Sequence, residues 1–530
     1  MKKGVTEVNT DTIIFIIYLL VLLSIGLFFS RRAARSVDSY LLGNREVGPA
    51  VTALTMQSTS MSGFMFLGGP AEAFQRGWHA IFYGIGDAGG SVINLSVLGR
   101  RMRRMSELLK ALSPIEYLEK RYESTGIRIV GSIIAIVFLF AYVFAQFIAS
   151  GKALETLTGL SYEVALIIGV SIIIIYTVTG GYLAVVWTDF FQAIVMVVGM
   201  IGILIMGLIH VGGLSGLNAS LAQVDTSYLS IWGKDLEFYG QWGVIIGALL
   251  IYSIGYMGLP HVVVRHMSMR STKTVKSATL WSAIYNQAMA YSPYLLGLIG
   301  IVLLPNIADP EMVVSELAYT FFPGLFAAIL LSAVMAAIMS TSDSILMQAG
   351  TILSRDVYQR FIKQDSDQNR MVLVSRISIL LAGVIGVLVA IKQPPAVFTL
   401  VIFAFGTLGN GFLVPYISSV YWRNSNKVGI LTAMISGSVS HILWTALDWQ
   451  VATGIHPFLG GLIVSVVGMV IGNQFGTPPS EDVLKVFEEC KGPRLLPQAI
   501  EKNISCEISP EAKSISVFAS KHNLLGDAAK

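Results

Sequence analysis

The stretch that decides the fold is residues 51–73, VTALTMQSTSMSGFMFLGGPAEA, in which Ser62, Gly63, Gly68 and Pro70 interrupt an apolar run. An apolar run of about 20 residues crosses a bilayer as a helix. Glycine and proline inside such a run free backbone amides and carbonyls that lipid cannot satisfy, so the interruption is tolerated only where the backbone lines a cavity or a polar site. The stretch therefore predicts a membrane span that is unwound near mid-bilayer.

A second interrupted run, residues 242–264, carries Gly255, Gly258 and Pro260. It lies five spans further along the chain than the first run. A repeat of odd length places its second copy upside down in the membrane, so we predict two inverted repeats that each begin with an unwound helix. The alternative explanation is that these small residues only permit close packing of helices.

The composition places the chain in a membrane. Of its 530 residues, 54% are hydrophobic and 13% are charged, which excludes a series of soluble domains. A net charge of +4 is too small and too dispersed to indicate a nucleic-acid partner, so the lipid bilayer is the expected environment. Both cysteines, Cys490 and Cys506, lie in the polar C-terminal stretch, which excludes a disulfide framework and a cysteine metal site.

Thirteen apolar segments are long enough to cross a bilayer, and we number them span one to span thirteen in chain order. The fold class is therefore an all-α polytopic membrane protein, with spans two to six and seven to eleven as the repeats. Span one is too long, and lacks a small-residue cleavage site, for a removable signal peptide. The spans are residues 13–29, 51–73, 78–98, 129–149, 164–186, 188–210, 242–264, 278–304, 325–344, 372–391, 397–421, 428–447 and 458–471.

Basic residues gather after the odd-numbered spans one, three, seven, nine and eleven. Basic loops are retained on the cytoplasmic side, so we expect the N-terminus outside the cell membrane and the C-terminus in the cytoplasm. The composition predicts a transmembrane domain of residues 1–475 and a cytoplasmic tail of residues 476–530, which carries no catalytic motif. The first basic residues of these clusters are Arg31, Arg100, Arg265, Arg355 and Arg423.

A hydroxyl-bearing face follows span nine. Ala337, Ser340, Thr341 and Ser344 share one side of the helix by i, i+3, i+4 and i+7 spacing. Hydroxyl oxygens and the carbonyls freed by an unwound helix can replace the hydration water of sodium without adding several fixed charges. The alternative is that each hydroxyl bonds the carbonyl four residues earlier in its own helix and holds no ion.

Three carboxylates lie at membrane depth, where an isolated charge costs several kcal/mol. We place Asp189 at the cytoplasmic start of span six, where an N-cap is the alternative to a functional role. Asp343 is expected near the cytoplasmic end of span nine, where it faces headgroups, pairs with a loop arginine, or joins Asp189 at a cation. Asp87 lies deeper in span three and has no assigned role.

Five short motifs occur along the chain between about Tyr40 and Trp444. They are SYLLGNR at 39–45, MSG at 61–63, GGYLAVVWTD at 180–189, GLPH at 258–261 with Arg265, and AIMST at 337–341. With these motifs the chain resembles the solute:sodium symporter family, most closely its bacterial sodium/proline symporter branch. The resemblance implies the leucine-transporter-like inverted-repeat fold and secondary transport with Na⁺ as the coupling ion.

The resemblance also implies site residues. Its sodium site would take the backbone carbonyls of Ser58, Met61 and Ala337 and the hydroxyls of Ser340 and Thr341. For the tyrosines of its solute pocket, an interfacial anchor or plain helix packing is the alternative. The pocket residues are Ser62, Gly63, Tyr142, Tyr252, Tyr256 and Pro260.

Departures from the proline branch concern the solute and the ion. Ser60 replaces an aspartate and Leu259 a glutamine, and Tyr252 replaces a tryptophan, so a monocarboxylate competes with an amino acid as the solute. Asp343 stands where relatives with a second sodium site often have serine. With Asp189 and Ser344 it would form either a second cation site or a proton site.

The function expected from the sequence is sodium symport with alternating access, importing a small organic solute, with proline or another amino acid favoured. A sodium- or proton-coupled monocarboxylate symporter is the alternative within that class. A channel would need a continuous polar pore, and a membrane sensor on a transporter fold would append a signalling domain. Without a nucleophile, phosphate loop or metal-ligand motif, no enzyme is indicated, and we expect a functional monomer.

Overall fold

The computed structural model describes residues 10–322, 325–392 and 397–490. Within these ranges the chain forms helices, with two isolated β-bridges and no strand, which confirms the predicted all-α class. The predicted N-terminal end and the part of the predicted tail that contains Cys506 lie outside the described residues.

The chain separates into two compact units, residues 1–480 and 481–530. All spans belong to the first unit. In the second unit the described part is one helix, Glu481–Cys490. The domain boundary predicted between residues 475 and 476 stays a prediction.

Span two is interrupted where the sequence predicts it. Helix Pro49–Ser60 ends at Met61, whose φ of −84° and ψ of 70° leave the helical region. The Met61 amide still donates to the Gln57 carbonyl at 2.8 Å, so the carbonyls of residues 58–60 are the first to lose their helical partners. The chain then resumes through a wide turn, Phe64–Gly68, and helix Gly69–Arg76.

Span seven has the matching break. Helix Trp242–Ser253 is followed by a tight 3-10 turn, Gly255–Gly258, and by helix Pro260–Ser268. Proline at the first helical position loses nothing by lacking an N–H. A Cβ on Gly258 would lie 2.6 Å from the Gly409 carbonyl of span eleven, so only glycine permits this close approach.

Spans five and six form one bent element rather than two separate helices. They form one element, Tyr162–Val211, that is kinked at Gly181, where φ is 58° and ψ is −157°. Such a backbone conformation favours glycine, and a Cβ there would also lie 2.9 Å from the Tyr40 carbonyl. The predicted boundary between residues 186 and 188 is therefore wrong, and Asp189 lies inside the helix that follows the kink rather than at its N-cap.

The other spans are single helices or continued helices. Span eight is divided into Thr274–Met289 and Ser292–Leu303 because Pro293 begins a new helix. The remaining spans consist of Thr10–Ala33, Ile81–Asn94 with Leu95–Gly99, Thr125–Thr158, Leu325–Thr351 with Ile352–Ile362, Gln368–Ala390, Val397–Tyr421, Lys427–Ala446 and Pro457–Asn473. Shorter helices are Val37–Leu42, Gly43–Arg45, Gly77–Ala80, Arg100–Leu108, Pro114–Tyr122, Gly213–Val224, Thr226–Leu229, Lys234–Leu236, Pro310–Met312, Val313–Phe321 and Trp449–Thr453.

Among the described residues, eight helices are long and apolar enough to cross a membrane, and two shorter helices are apolar. The number of thirteen crossings stays a prediction, because several predicted spans are joined or divided.

Burial identifies the centre of the bundle. In the most apolar stretch of span nine 94% of the residues are buried, whereas in that of span one 28% are buried. The hydroxyl face of span nine therefore lies inside the protein, and span one lies at its surface.

Candidate functional site

Side-chain hydroxyls contact the three carbonyls that the break of span two sets free. The Ser340 hydroxyl donates to the Ser58 carbonyl at 3.0 Å, and the Thr341 hydroxyl donates to the Thr59 carbonyl at 3.0 Å. The third carbonyl, that of Ser60, lies 3.4 Å from the Tyr256 hydroxyl oxygen. Spans nine and seven thus both bond the unwound backbone of span two, which is the arrangement expected of a polar site at mid-membrane.

Four of the five predicted sodium ligands come together in this arrangement. The hydroxyl oxygens of Ser340 and Thr341 also lie 3.1 and 3.2 Å from the Ala337 carbonyl, so two hydroxyls of span nine converge with carbonyls of spans two and nine. These bonds also match the alternative in which the hydroxyls serve their own helix. Met61 lies buried at the break itself. The donor chemistry, carbonyl and hydroxyl oxygen, suits a hard monovalent cation.

A second polar cluster surrounds Arg265, which was predicted to lie in a basic loop. The structure places it inside helix Pro260–Ser268, with 1% of its surface exposed. Its guanidinium donates to the Thr59 hydroxyl at 2.7 Å and to the Asp189 carboxylate at 3.1 Å, and it bonds the Ser344 hydroxyl as well. The assignment of Arg265 to a loop is therefore wrong. A buried arginine of this kind gives no sequence signal beyond its motif.

Asp189 is the acceptor at the centre of the Arg265 cluster. Its Oδ2 accepts from Thr55 and Arg265, and it lies 3.3 Å from the hydroxyls of Thr59 and Ser344. Oδ1 of the same carboxylate is buried and has no hydrogen-bond partner among the described residues. Asp189 is therefore held by side chains from three spans, two, seven and nine, rather than by the amides of a helix end.

Asp343 has a separate set of donors. The Tyr176 hydroxyl donates to its Oδ2 at 2.8 Å, and the Thr188 hydroxyl lies 3.4 Å from the same oxygen. The side chain is fully buried, so the expected alternatives of facing headgroups or pairing with a loop arginine are wrong. Its second oxygen, like that of Asp189, lacks a hydrogen-bond partner in the described part of the chain.

The predicted pocket tyrosines are buried at the two breaks. Tyr142, Tyr252 and Tyr256 are each at most 2% exposed, so they do not serve as interfacial anchors. The rings of Tyr252 and Tyr256 lie 5.7 Å apart, and both contact Phe405 of span eleven, at 4.9 and 5.1 Å between ring centroids. These aromatic rings form one wall beside the unwound backbone.

Span four supplies the facing side. The Tyr142 ring lies 5.7 Å from that of His261, next to Pro260, and the Ser62 hydroxyl accepts from the Phe64 amide at 3.1 Å. One helical turn after Tyr142, Gln146 Oε1 accepts from the Gly63 amide at 2.9 Å. Gln146 and Phe405 were not among the site residues predicted from the sequence. The i, i+4 spacing from Tyr142 was a usable signal for Gln146, whereas nothing in the local sequence marks Phe405.

A cavity of about 500 Å³ lies beyond this pocket. Phe398 of span eleven separates the two, because its ring contacts Phe64 at 5.1 Å and Tyr83 at 5.8 Å between centroids. The cavity wall is charged, with Lys152 bonding Asp309 at 3.2 Å. The rings of Tyr83 and Phe398 thus lie between this cavity and the broken backbone of span two.

The chain is similar in sequence to known proteins. The model of the family described as the sodium:solute symporter family matches residues 40–437. The osmoregulated proline transporter OpuE of Bacillus subtilis is 28% identical, over 89% of this chain and 96% of that protein. The sodium/proline symporter of Staphylococcus aureus is 30% identical, over 87% and 92% respectively.

Two solved structures resemble the chain. One is a Na⁺-coupled sialic acid symporter in a substrate-bound outward-open state, with a TM-score of 0.73 and 22% identity, covering 89% of this chain and 99% of that one. The other is Mhp1, a nucleobase-cation-symport-1 family transporter, with a TM-score of 0.54 and 16% identity over 85% and 98%. At these identities the likeness shows the fold, and the predicted leucine-transporter-like architecture is confirmed.

Proposed function

We propose that this chain, which belongs to the sodium:solute symporter family, imports a small zwitterionic amino acid such as proline across the cell membrane. Sodium-coupled solute import follows from membership of the family, with Na⁺ as the coupling ion. The amino acid is our proposal. It is supported by the two relatives described as proline transporters and by the aromatic wall that Tyr252, Tyr256 and Phe405 form beside the broken spans.

The observation that carries the proposal is that the unwound backbone of span two contacts span nine and span four within a few residues. Ser58 and Thr59 accept from Ser340 and Thr341, and the Gly63 amide donates to Gln146 of span four. Sodium held between spans two and nine would fix the backbone that binds the solute. A cation and a solute that order the same segment bind cooperatively, and the coupling is reciprocal.

We expect uptake to require sodium and to carry charge. In proteoliposomes, a labelled panel of proline, other amino acids, acetate and pyruvate should show uptake of an amino acid only with an inward sodium gradient. For a zwitterionic solute, a potential of 100 mV adds about 2.3 kcal/mol per translocated charge, so a negative interior should accelerate uptake. Uptake that is unchanged when choline replaces sodium, and that follows a pH gradient instead, would contradict sodium coupling.

We also propose a second cation site at Asp189, Asp343 and Ser344. Two buried carboxylates and the Arg265 guanidinium leave one uncompensated negative charge in this region, and each carboxylate keeps one oxygen without a hydrogen-bond partner among the described residues. Such a charge is costly unless a cation or a proton neutralises it. Transport of two sodium ions, or of one sodium ion and a proton, would result.

Replacing Asp343 by Asn should therefore lower the Hill coefficient for sodium toward one, or flatten the pH dependence of uptake. Asp189→Asn should do the same, and the double variant should lose no more than either single variant, because the two residues act as one unit. The measurement is initial uptake rate against sodium concentration at several pH values. Additive losses with an unchanged Hill coefficient and pH profile would rule out the second site.

The proposal also covers the orientation of the two termini in the membrane and the oligomeric state. We propose that the N-terminus lies outside the cell and the C-terminus in the cytoplasm, and that the transporter functions as a monomer with residues 1–475 as its transmembrane domain. The remaining basic residues after span seven, Arg270, Lys273 and Lys276, still support this orientation now that Arg265 is known to be buried.

A further inference from the structure

Asp87 is a buried carboxylate that neither cation cluster uses. It lies in helix Ile81–Asn94 of span three and is 1% exposed. Its Oδ1 accepts from the Tyr256 hydroxyl at 2.8 Å, whereas its Oδ2 has no hydrogen-bond partner within the described ranges. No Lys, Arg or His of those ranges forms an ion pair with it, unlike Asp189. Within the described part of the chain, no basic side chain pairs with a negative charge at Asp87.

The carboxylate is placed at the wall of the solute pocket. The Tyr256 hydroxyl that bonds Asp87 also reaches the freed carbonyl of Ser60, so spans two, three and seven meet at this one hydroxyl. One turn beyond Asp87, a Cβ on Gly90 would lie 2.5 Å from the Tyr252 carbonyl. Span three therefore packs directly on the backbone that carries the pocket tyrosines.

The position of Asp87 is also fixed. The side-chain amide of Asn286, in span eight, donates to the backbone carbonyl of Asp87 at 3.0 Å and lies 3.3 Å from the backbone carbonyl of Ala88. The side chain of Asp87 is thereby presented toward span seven, where Tyr256 orients it. A fixed carboxylate with one free oxygen beside a pocket is a site prepared for a donor that carries positive charge.

The charge of Asp87 determines which hydrogen-bond donor of a solute would bind beside it. An unpaired charge at membrane depth costs several kcal/mol, so the pocket favours whatever neutralises it. A protonated amine offers N–H donors and a full positive charge at hydrogen-bonding distance, and charge-assisted bonds of this kind are about twice as strong as neutral ones. A solute that carries only a carboxylate would instead be repelled.

We propose that Asp87 binds the protonated amine of the transported solute, so that the transporter selects amino or imino acids over plain monocarboxylates. This rests on the proposed import of a solute through the pocket of Tyr252 and Tyr256. It adds the chemical group that the pocket selects and the residue that selects it. Sodium coupling at Ser340 and Thr341 does not depend on it.

The first test uses the unmodified transporter in proteoliposomes under a sodium gradient. Unlabelled L-proline and tetrahydrofuran-2-carboxylate, which has oxygen in place of the ring amine, compete against labelled proline. We expect the oxygen analogue to inhibit at least about tenfold more weakly, and acetate and pyruvate not to inhibit. Equal inhibition by proline and its oxygen analogue would overturn the assignment even though sodium-driven uptake is intact. Absence of sodium-driven amino-acid uptake would instead refute the proposed function.

The second test uses Asp87→Asn, which keeps the shape and the acceptor for Tyr256 but removes the charge. The KM for proline should rise about tenfold or more, and the preference for proline over the oxygen analogue should disappear. Ser91→Ala is the matched control, because Ser91 lies one turn further along the same helix and bonds Gln57 at 3.0 Å instead. An Asp87→Asn variant that retains the full preference would overturn the proposal. Should that variant not fold, the competition assay decides alone.

Discussion

Replacing Arg265 by methionine should destabilise the protein by about 3–5 kcal/mol, the usual cost of leaving one partner of a buried ion pair alone. Asp189 would stay buried among Thr55, Thr59 and Ser344 without its cation. We expect a markedly lower melting temperature of the detergent-purified protein, followed by tryptophan fluorescence. The loss should exceed that of removing any single hydroxyl of the cluster.

The double variant Arg265→Met with Asp189→Asn distinguishes charge from packing. It removes both charges, so it should recover more than half of the lost melting temperature. Arg270→Met is the matched control, because Arg270 is exposed just beyond the same helix and its loss should leave the melting temperature within the error of the parent. An Arg265→Met variant as stable as the parent would show that the pair contributes nothing.

The second large effect is expected at the sodium ligands. Ser340→Ala together with Thr341→Ala removes two oxygens and also leaves the carbonyls of Ser58 and Thr59 without donors. The sodium concentration for half-maximal uptake should rise about tenfold or more, since each tenfold corresponds to about 1.4 kcal/mol. The measurement is initial uptake rate against sodium concentration at saturating solute.

Span nine provides its own control for this experiment. The Ser342 hydroxyl bonds the Ile338 carbonyl of its own helix at 2.7 Å rather than the broken span, so Ser342→Ala should leave the sodium activation curve unchanged. If the double variant and the control give the same curve as the parent, the hydroxyls of Ser340 and Thr341 serve only to satisfy backbone, and our sodium assignment is wrong.

The sequence was sufficient for features that depend on local pattern. Glycine and proline inside apolar runs located both breaks, because lipid leaves freed backbone groups no other partner. Helical spacing located the hydroxyl face of span nine, and the structure places Ser340 and Thr341 against the broken span. Periodicity and backbone chemistry therefore predicted where spans two and nine would meet.

Features that depend on contacts between distant spans were missed. Arg265 is followed by further basic residues, so the charge pattern placed it in a loop, although Asp189, Thr59 and Ser344 hold it inside. Phe405 belongs to an ordinary apolar run, and only the packing of span eleven on span seven brings it to the pocket. The bend between spans five and six was misplaced because one glycine, Gly181, suffices to make it.

The bend at Gly181 has a mechanical consequence. Tyr176 lies on one arm of the kinked element and Thr188 on the other, and both reach the same oxygen of Asp343. Asp343 therefore ties the two arms together across the bend. A cation or proton bound at this oxygen would displace the hydroxyl of Tyr176 or of Thr188. A change of charge on span nine would then change the bend angle of the neighbouring element at Gly181.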